Sequence, residues 1–346
     1  MKKFHIPYVE FYITNVCNYS CQGCNRFNNY YFSGSQLWKD HEKIYQRWSE
    51  RVDIPALTIL GGEPTLNPDL MNWVHGLKKL WPDAIVNVTT NGSRLHLMEE
   101  LYNEMARDPE HSLMTVSLHD HALKENILKF LKTPMTKVED YYDHPLDNKD
   151  WKISYNTIKD PSWPDCDHWD DFKLLPKHIQ DECTDFHNFN PEIYIAGRTG
   201  IVYQDVNNVK MIIKINTHFT QSALVLNPDG QSFSLLDSNP ELAHQNCAAK
   251  LCHQVRNGKI YKCGVVDLLP DFDSQYQLTI SEEDRKIMYS YRPGQVDFTD
   301  DELEEFISNL NKPIPQCKFC PENYINSPIN PTAKKPKIIK IKHANE

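Results

Sequence analysis

The apolar, strand-like run Val9-Glu10-Phe11-Tyr12-Ile13 leads directly into Cys17-Asn18-Tyr19-Ser20-Cys21-Gln22-Gly23-Cys24. Three close thiolates suit an iron-sulfur cluster better than a disulfide. A cubane [4Fe-4S] cluster takes one thiolate per iron, so Cys17, Cys21 and Cys24 leave the fourth iron open to a ligand that is not protein. The competing readings are a structural zinc knuckle or buried thiols. Zinc normally closes its site with four protein ligands, yet no histidine or fourth cysteine lies in the following loop, and His41 falls in a predicted helix.

The Cys-x3-Cys-x2-Cys spacing after a first strand resembles the signature of the radical S-adenosylmethionine (SAM) superfamily. Three further stretches are similar to elements of that family, in the same order. Leu57 to Leu60 followed by Gly61-Gly62-Glu63-Pro64 resembles its GGEP element, where backbone carbonyls take the SAM amino group. Val86 to Thr89 followed by Thr90-Asn91-Gly92 resembles its third strand, and Met114-Thr115-Val116-Ser117-Leu118 its fourth, whose Ser reaches the SAM carboxylate or ribose. One position departs from the pattern: Gly23 precedes the third cysteine where the family usually has a bulky residue near adenine, and Tyr19 or Phe27 would compensate.

The chain has 346 residues, 40% of them hydrophobic, with a net charge of −10. Those values allow one large domain or two ordinary ones and disfavour a phosphate-tracking surface, so nucleic acid is not the expected partner. No export signal and no apolar run long enough to span a bilayer is present, which predicts a cytoplasmic protein without a membrane partner. Ten cysteines in such a chain read as ligands rather than disulfides, although Cys166 and Cys183 lack partners at ligand spacing and read as packing residues. Lys334, Lys335, Lys337, Lys340 and Lys342 mark residues 329–346 as a basic, solvated tail.

Strand and helix patterns alternate from Val9 to about Asn216. Helices are expected over residues 36–51, 67–80 and 94–107, and after Asp120 through Leu131; strands over 56–60, 85–89, 113–118 and 151–155. Short β-branched runs at 193–196, 201–203 and 209–215 add strands. Strands separated by helices imply a parallel sheet. The fold class is α/β, a partial (β/α)6 TIM-like barrel over residues 1–220, the fold that the resemblance also implies, with its site at the strand C-terminal ends.

Residues 221–328 open on a hairpin signal at Asn227-Pro228-Asp229-Gly230 and then concentrate cysteine: Cys247, Cys252, Cys263, Cys317 and Cys320. Asn257-Gly258 signals a tight turn that folds Cys252 back toward Cys263. Cys247-x10-Gly258-x4-Cys263 with Cys317-x2-Cys320 resembles the SPASM or shorter twitch domains of radical SAM subfamilies. The count fits one auxiliary [4Fe-4S] cluster, with Cys252, Cys263, Cys317 and Cys320 preferred and Cys247 competing with Cys252; a zinc ribbon is the alternative.

The resemblance implies that SAM docks on the open iron, is cleaved reductively and yields a 5′-deoxyadenosyl radical that takes hydrogen from the substrate. It implies an electron donor such as flavodoxin or ferredoxin. His119, two residues beyond Ser117 on the same face, is positioned to move a proton. The expected substrate is a peptide or protein side chain, served by a separate leader-binding protein, because the chain begins at the first barrel strand. A small molecule such as a sugar, nucleotide or cofactor precursor is the alternative, and a metal-stapled binding protein the second alternative.

Overall fold

The structure, a computed structural model, describes residues 3–21, 23–142, 199–215, 218–220, 223–247, 249–322 and 326–328. The expected strands at 151–155 and 193–196, Cys166, Cys183 and the basic tail lie outside the described residues. The chain divides into two compact units, Met1–Thr89 with Phe219–Glu346, and Thr90–His218.

In the first unit β1 (Phe4–His5) precedes β2 (Val9–Tyr12), and α1 (Trp38–Arg51), β3 (Val52–Asp53), β4 (Ala56–Leu60), α2 (Leu70–Leu80) and β5 (Ile85–Thr90) follow. β2, β4 and β5 are parallel neighbours. Every residue of β2 and β4 is buried, the polar Glu10 and Thr58 included, as befits strands covered on both faces. The helices pack through rings: Tyr45 lies edge-on to Phe11 at 5.3 Å, and Trp38 edge-on to Trp73 at 5.2 Å. Gly76 is required under Trp38, whose ring a Cβ would meet at 2.2 Å.

The second unit carries α3 (Glu99–Arg107), β6 (Ser112–Leu118), α4 (Lys124–Leu128), β7 (Met135–Tyr142), β8 (Thr199–Asp205) and β9 (Lys210–Ile215). β6 and β9 are parallel, as alternation predicts, but β8 runs antiparallel to both β9 and β7. The expectation of a wholly parallel sheet fails here for a local reason. Asp205 closes a tight turn by accepting from the Asn207 and Val209 amides, with Asn208 at φ +61, and so short a connection joins only antiparallel strands.

Returning to the first unit, β10 (His218–Thr220) pairs with β15 (Asn326–Pro328), and β11 (Leu224–Leu226) with β12 (Phe233–Leu235) as the expected hairpin. α5 (Pro240–Gln245) follows, capped by Asn239; β13 (His253–Arg256) and β14 (Lys259–Tyr261) then turn at Asn257-Gly258, both with positive φ. β13 lies parallel along β2, so the order within this unit is β14-β13-β2-β4-β5. α6 (Gly264–Tyr276), α7 (Glu282–Tyr289) and α8 (Asp300–Asn309) complete it. An aromatic core built from Tyr12, Phe27, Phe233, Phe272 and Tyr276 packs α6 beneath the N-terminal cysteine loop.

Candidate metal and cofactor sites

The N-terminal loop is stitched to the GGEP element by backbone hydrogen bonds. Gly62 N–H donates to the Thr14 carbonyl at 2.8 Å and Glu63 N–H to that of Val16 at 2.7 Å. The approach is so close that a Cβ on Gly61 would meet the Thr14 carbonyl at 2.5 Å, and one on Gly62 that of Val16 at 2.3 Å. Glu63, fully buried, accepts from the Thr65 amide and hydroxyl at 3.1 and 2.6 Å and caps the turn that Pro64 begins. The Glu63 and Pro64 carbonyls are taken by the amides of Leu66 and Asn67. Asn67 in turn donates to the Ile13 and Gln36 carbonyls, both at 3.0 Å, and so braces both ends of the loop.

Within the loop, Cys24 N–H donates to the Cys21 carbonyl and Cys17 Sγ accepts from the Tyr19 amide at 3.4 Å. Gly23 stands at φ +75, a conformation in which a side chain is strained by about 1–2 kcal/mol. Backbone geometry therefore explains glycine where the family has a bulky residue. Phe27 does not replace that residue. At φ +59 it turns into the core, 1% exposed, with its ring 5.5 Å from Phe272. Burial, and then the charges of Cys24 and Cys17, push the Cys21 thiol up to about 12. The three thiols thus lie within electrostatic reach of one another.

A second set gathers from three segments: Cys247 beyond α5, Cys263 before α6, and Cys317 on the turn Pro315–Phe319 with Cys320 directly after it. These four line one small cavity. Cys263 acts electrostatically on each of the other three, and burial raises the thiols of Cys247, to about 11, Cys317 and Cys320. Cys252 is elsewhere: it is absent from that cavity and acts on Tyr8 and Arg26 instead. The preference for Cys252 over Cys247 is thereby reversed. Cys252 immediately precedes β13 and is carried toward β2, whereas Cys247 follows α5, which packs on the Cys317 turn.

The donor sets fit iron-sulfur cubanes. None of the eight described cysteines forms a disulfide. Three thiols fit a cluster with one open iron, and four a fully ligated one.

A buried polar network ties the two regions together. Arg26, two residues beyond Cys24, bonds Glu10 of β2 and Gln254 of β13; Gln254 bonds Asp267 of α6, which also accepts from Arg256 at 2.9 Å. A Cβ on Gly264, next to Cys263, would strike the Arg26 guanidinium. Lys262, 3% exposed and adjacent to Cys263, lines the four-thiol cavity. Burial pushes its ammonium down, and Cys317, Cys263 and Cys247 oppose that shift.

In the second unit, the Thr90 hydroxyl accepts from the Gly92 amide and the Asn91 side chain from the Ser93 amide, both at 3.0 Å. Ser117 and His119 are half-buried, while Leu118 between them is 2% exposed. Asp120 accepts from the Ala122 amide at 3.0 Å and opens the turn before α4. Sequence reasoning missed three groups. The Asn28 and Asn29 side-chain oxygens and Arg94 Nε are buried without a hydrogen-bond partner among the described residues. Asn28 and Asn29 follow the third cysteine closely and Arg94 follows Thr90-Asn91-Gly92, which was the available signal.

Residues 11–144 match the family model of the Radical SAM superfamily. The chain contains a radical SAM domain. The cofactors of this family are a [4Fe-4S] cluster and SAM. Similar curated proteins are a probable GTP 3',8-cyclase of Thermococcus kodakarensis, 31% identical over 117 residues, which are 34% of this chain and 36% of that one, and one of Saccharolobus islandicus, 36% identical over 85 residues, 23% and 25% of the two chains. The match therefore spans about a third or less of those relatives. Streptococcus suis SuiB bound to S-adenosylmethionine is similar over 33% of this chain and 25% of its own, at 23% identity and TM-score 0.28. No helix among the described residues is long and apolar enough to cross a membrane.

Proposed function

We propose that the chain is a radical SAM enzyme with two iron-sulfur clusters, acting on a small organic molecule, with a nucleotide as the first candidate. The observation that carries this reading is the pair of unequal thiol sets, three on one loop and four around one cavity. With cluster and SAM bound, the N-terminal site supplies a 5′-deoxyadenosyl radical that removes a substrate hydrogen.

Cys17, Cys21 and Cys24 hold the first cluster in this reading, and Cys247, Cys263, Cys317 and Cys320 the auxiliary one, in a twitch-like C-terminal region. The backbone carbonyls of Gly61, Gly62, Glu63 and Pro64 are assigned to the SAM amino group; those of Glu63 and Pro64 also accept the Leu66 and Asn67 amides within the turn, which leaves each a second lone pair. Thr90, Asn91 and Ser117 are assigned to SAM binding, and His119 to proton movement on the substrate side. A flavodoxin or ferredoxin type protein supplies the electron. The names of the matching relatives support a small molecule over the peptide expected from sequence.

The test is release of 5′-deoxyadenosine by anaerobically reconstituted protein offered panels of nucleotides, other small metabolites and peptides. Stimulation by members of the small-molecule panels is expected. Stimulation by peptides alone would return the substrate to the peptide class.

A further inference from the structure

We propose that Lys262 tunes the auxiliary site: its buried ammonium offsets the negative charge of a four-thiolate cluster and makes that cluster easier to reduce. The inference rests on the auxiliary-cluster reading above. Lys262 is the residue before Cys263 and lines the cavity of Cys247, Cys263, Cys317 and Cys320. Its ammonium donates to the Leu310 carbonyl at the end of α8 and faces His244 Nε2 at 3.4 Å. Its own amide donates to the Tyr291 hydroxyl at 2.8 Å, and its carbonyl meets His253 Nδ1 at 2.9 Å, so main chain and side chain are both held.

A tether to one carbonyl does not require a charge. Burying an ammonium 3% exposed is costly unless anions compensate it, and a neutral amide would reach a carbonyl at less expense. The groups that share its cavity are the thiols of Cys247, Cys263, Cys317 and Cys320, which as ligands of a cluster would be thiolates. Each thiolate adds negative charge to a bound cluster, and reduction adds one electron more without making or breaking a bond at Lys262. A fixed cation lining the same cavity would stabilise the reduced form more than the oxidised form, and so raise the potential.

The experiment places Lys262→Gln, which keeps a donor for Leu310 but loses the charge, and Lys262→Arg, which keeps the charge, in a Cys17→Ala/Cys21→Ala/Cys24→Ala background. Only auxiliary iron remains there, and its midpoint potential is read by EPR during titration with dithionite. The Gln variant is expected to disfavour reduction at least tenfold, about 59 mV for a one-electron couple, and the Arg variant to restore most of it. Lys262→Met serves as the neutral variant if the Gln variant does not retain iron. An unchanged potential in an iron-loaded neutral variant overturns the proposal and leaves Lys262 a tether of Leu310. A background protein that binds no iron overturns the auxiliary-cluster reading instead.

Discussion

The two cysteine sites of the first unit are assembled in opposite ways. The N-terminal set comes from eight consecutive residues whose shape is imposed by local backbone, with glycine at φ +75 and the GGEP turn bonded directly to it. The C-terminal set is drawn from three segments spread over residues 247–320, and helix and hairpin packing brings them together. The first site is thus encoded by spacing, the second by tertiary structure. In the proposed reading the open iron belongs to the first.

That contrast is broken most decisively by deleting each site in turn. Replacing Cys17, Cys21 and Cys24 together is expected to abolish 5′-deoxyadenosine formation while about four irons per chain remain; replacing Cys263 and Cys320 should leave about four irons and retain reductive SAM cleavage. Iron assay and product chromatography on the same preparations read both. Membership of the second set is sharpened by single changes. Cys247→Ser should lose auxiliary iron, and Cys252→Ser should keep it, measured by the same assay.

The network between the regions comes next in size. Arg26→Met strands Glu10 and Gln254 in the interior, and thermal unfolding of the metal-free protein should show a loss of about 3–5 kcal/mol. Gly23→Ala tests the local encoding of the first loop, with an expected cost of about 1–2 kcal/mol and slower loading of the first cluster alone. The smallest effect is a pH dependence at β13. His253, 1% exposed, has its ionisation pushed down by burial, so below its unfolded value of about 6.5 the unfolded chain takes up a proton that the folded chain refuses. Stability should therefore fall as pH drops below that point, and melting curves of His253→Asn should fall less steeply.

The same contrast explains what was legible in the sequence. The cysteine loop, GGEP, the strands β2, β4, β5 and β6 and the hairpin turns are local, and each is written within a dozen residues. The choice between Cys247 and Cys252 was not, because both satisfy spacing and only the placement of α5 and β13 separates them. Phe27 was misread as a neighbour of adenine because proximity along the chain says nothing of φ, and at +59 its ring points into the core. The reversal at β8 had a signal in Asp205-Val206-Asn207-Asn208, a turn sequence, but alternation of strand and helix patterns upstream argued for a crossover.

The most direct test of the central claim is Mössbauer spectroscopy of anaerobically reconstituted protein before and after SAM is added. The account predicts about eight irons per chain in two cubanes, with one iron site, in one cluster only, changing its parameters on SAM addition. A spectrum indifferent to SAM, or a first cluster with four equivalent thiolate-ligated irons, would contradict it.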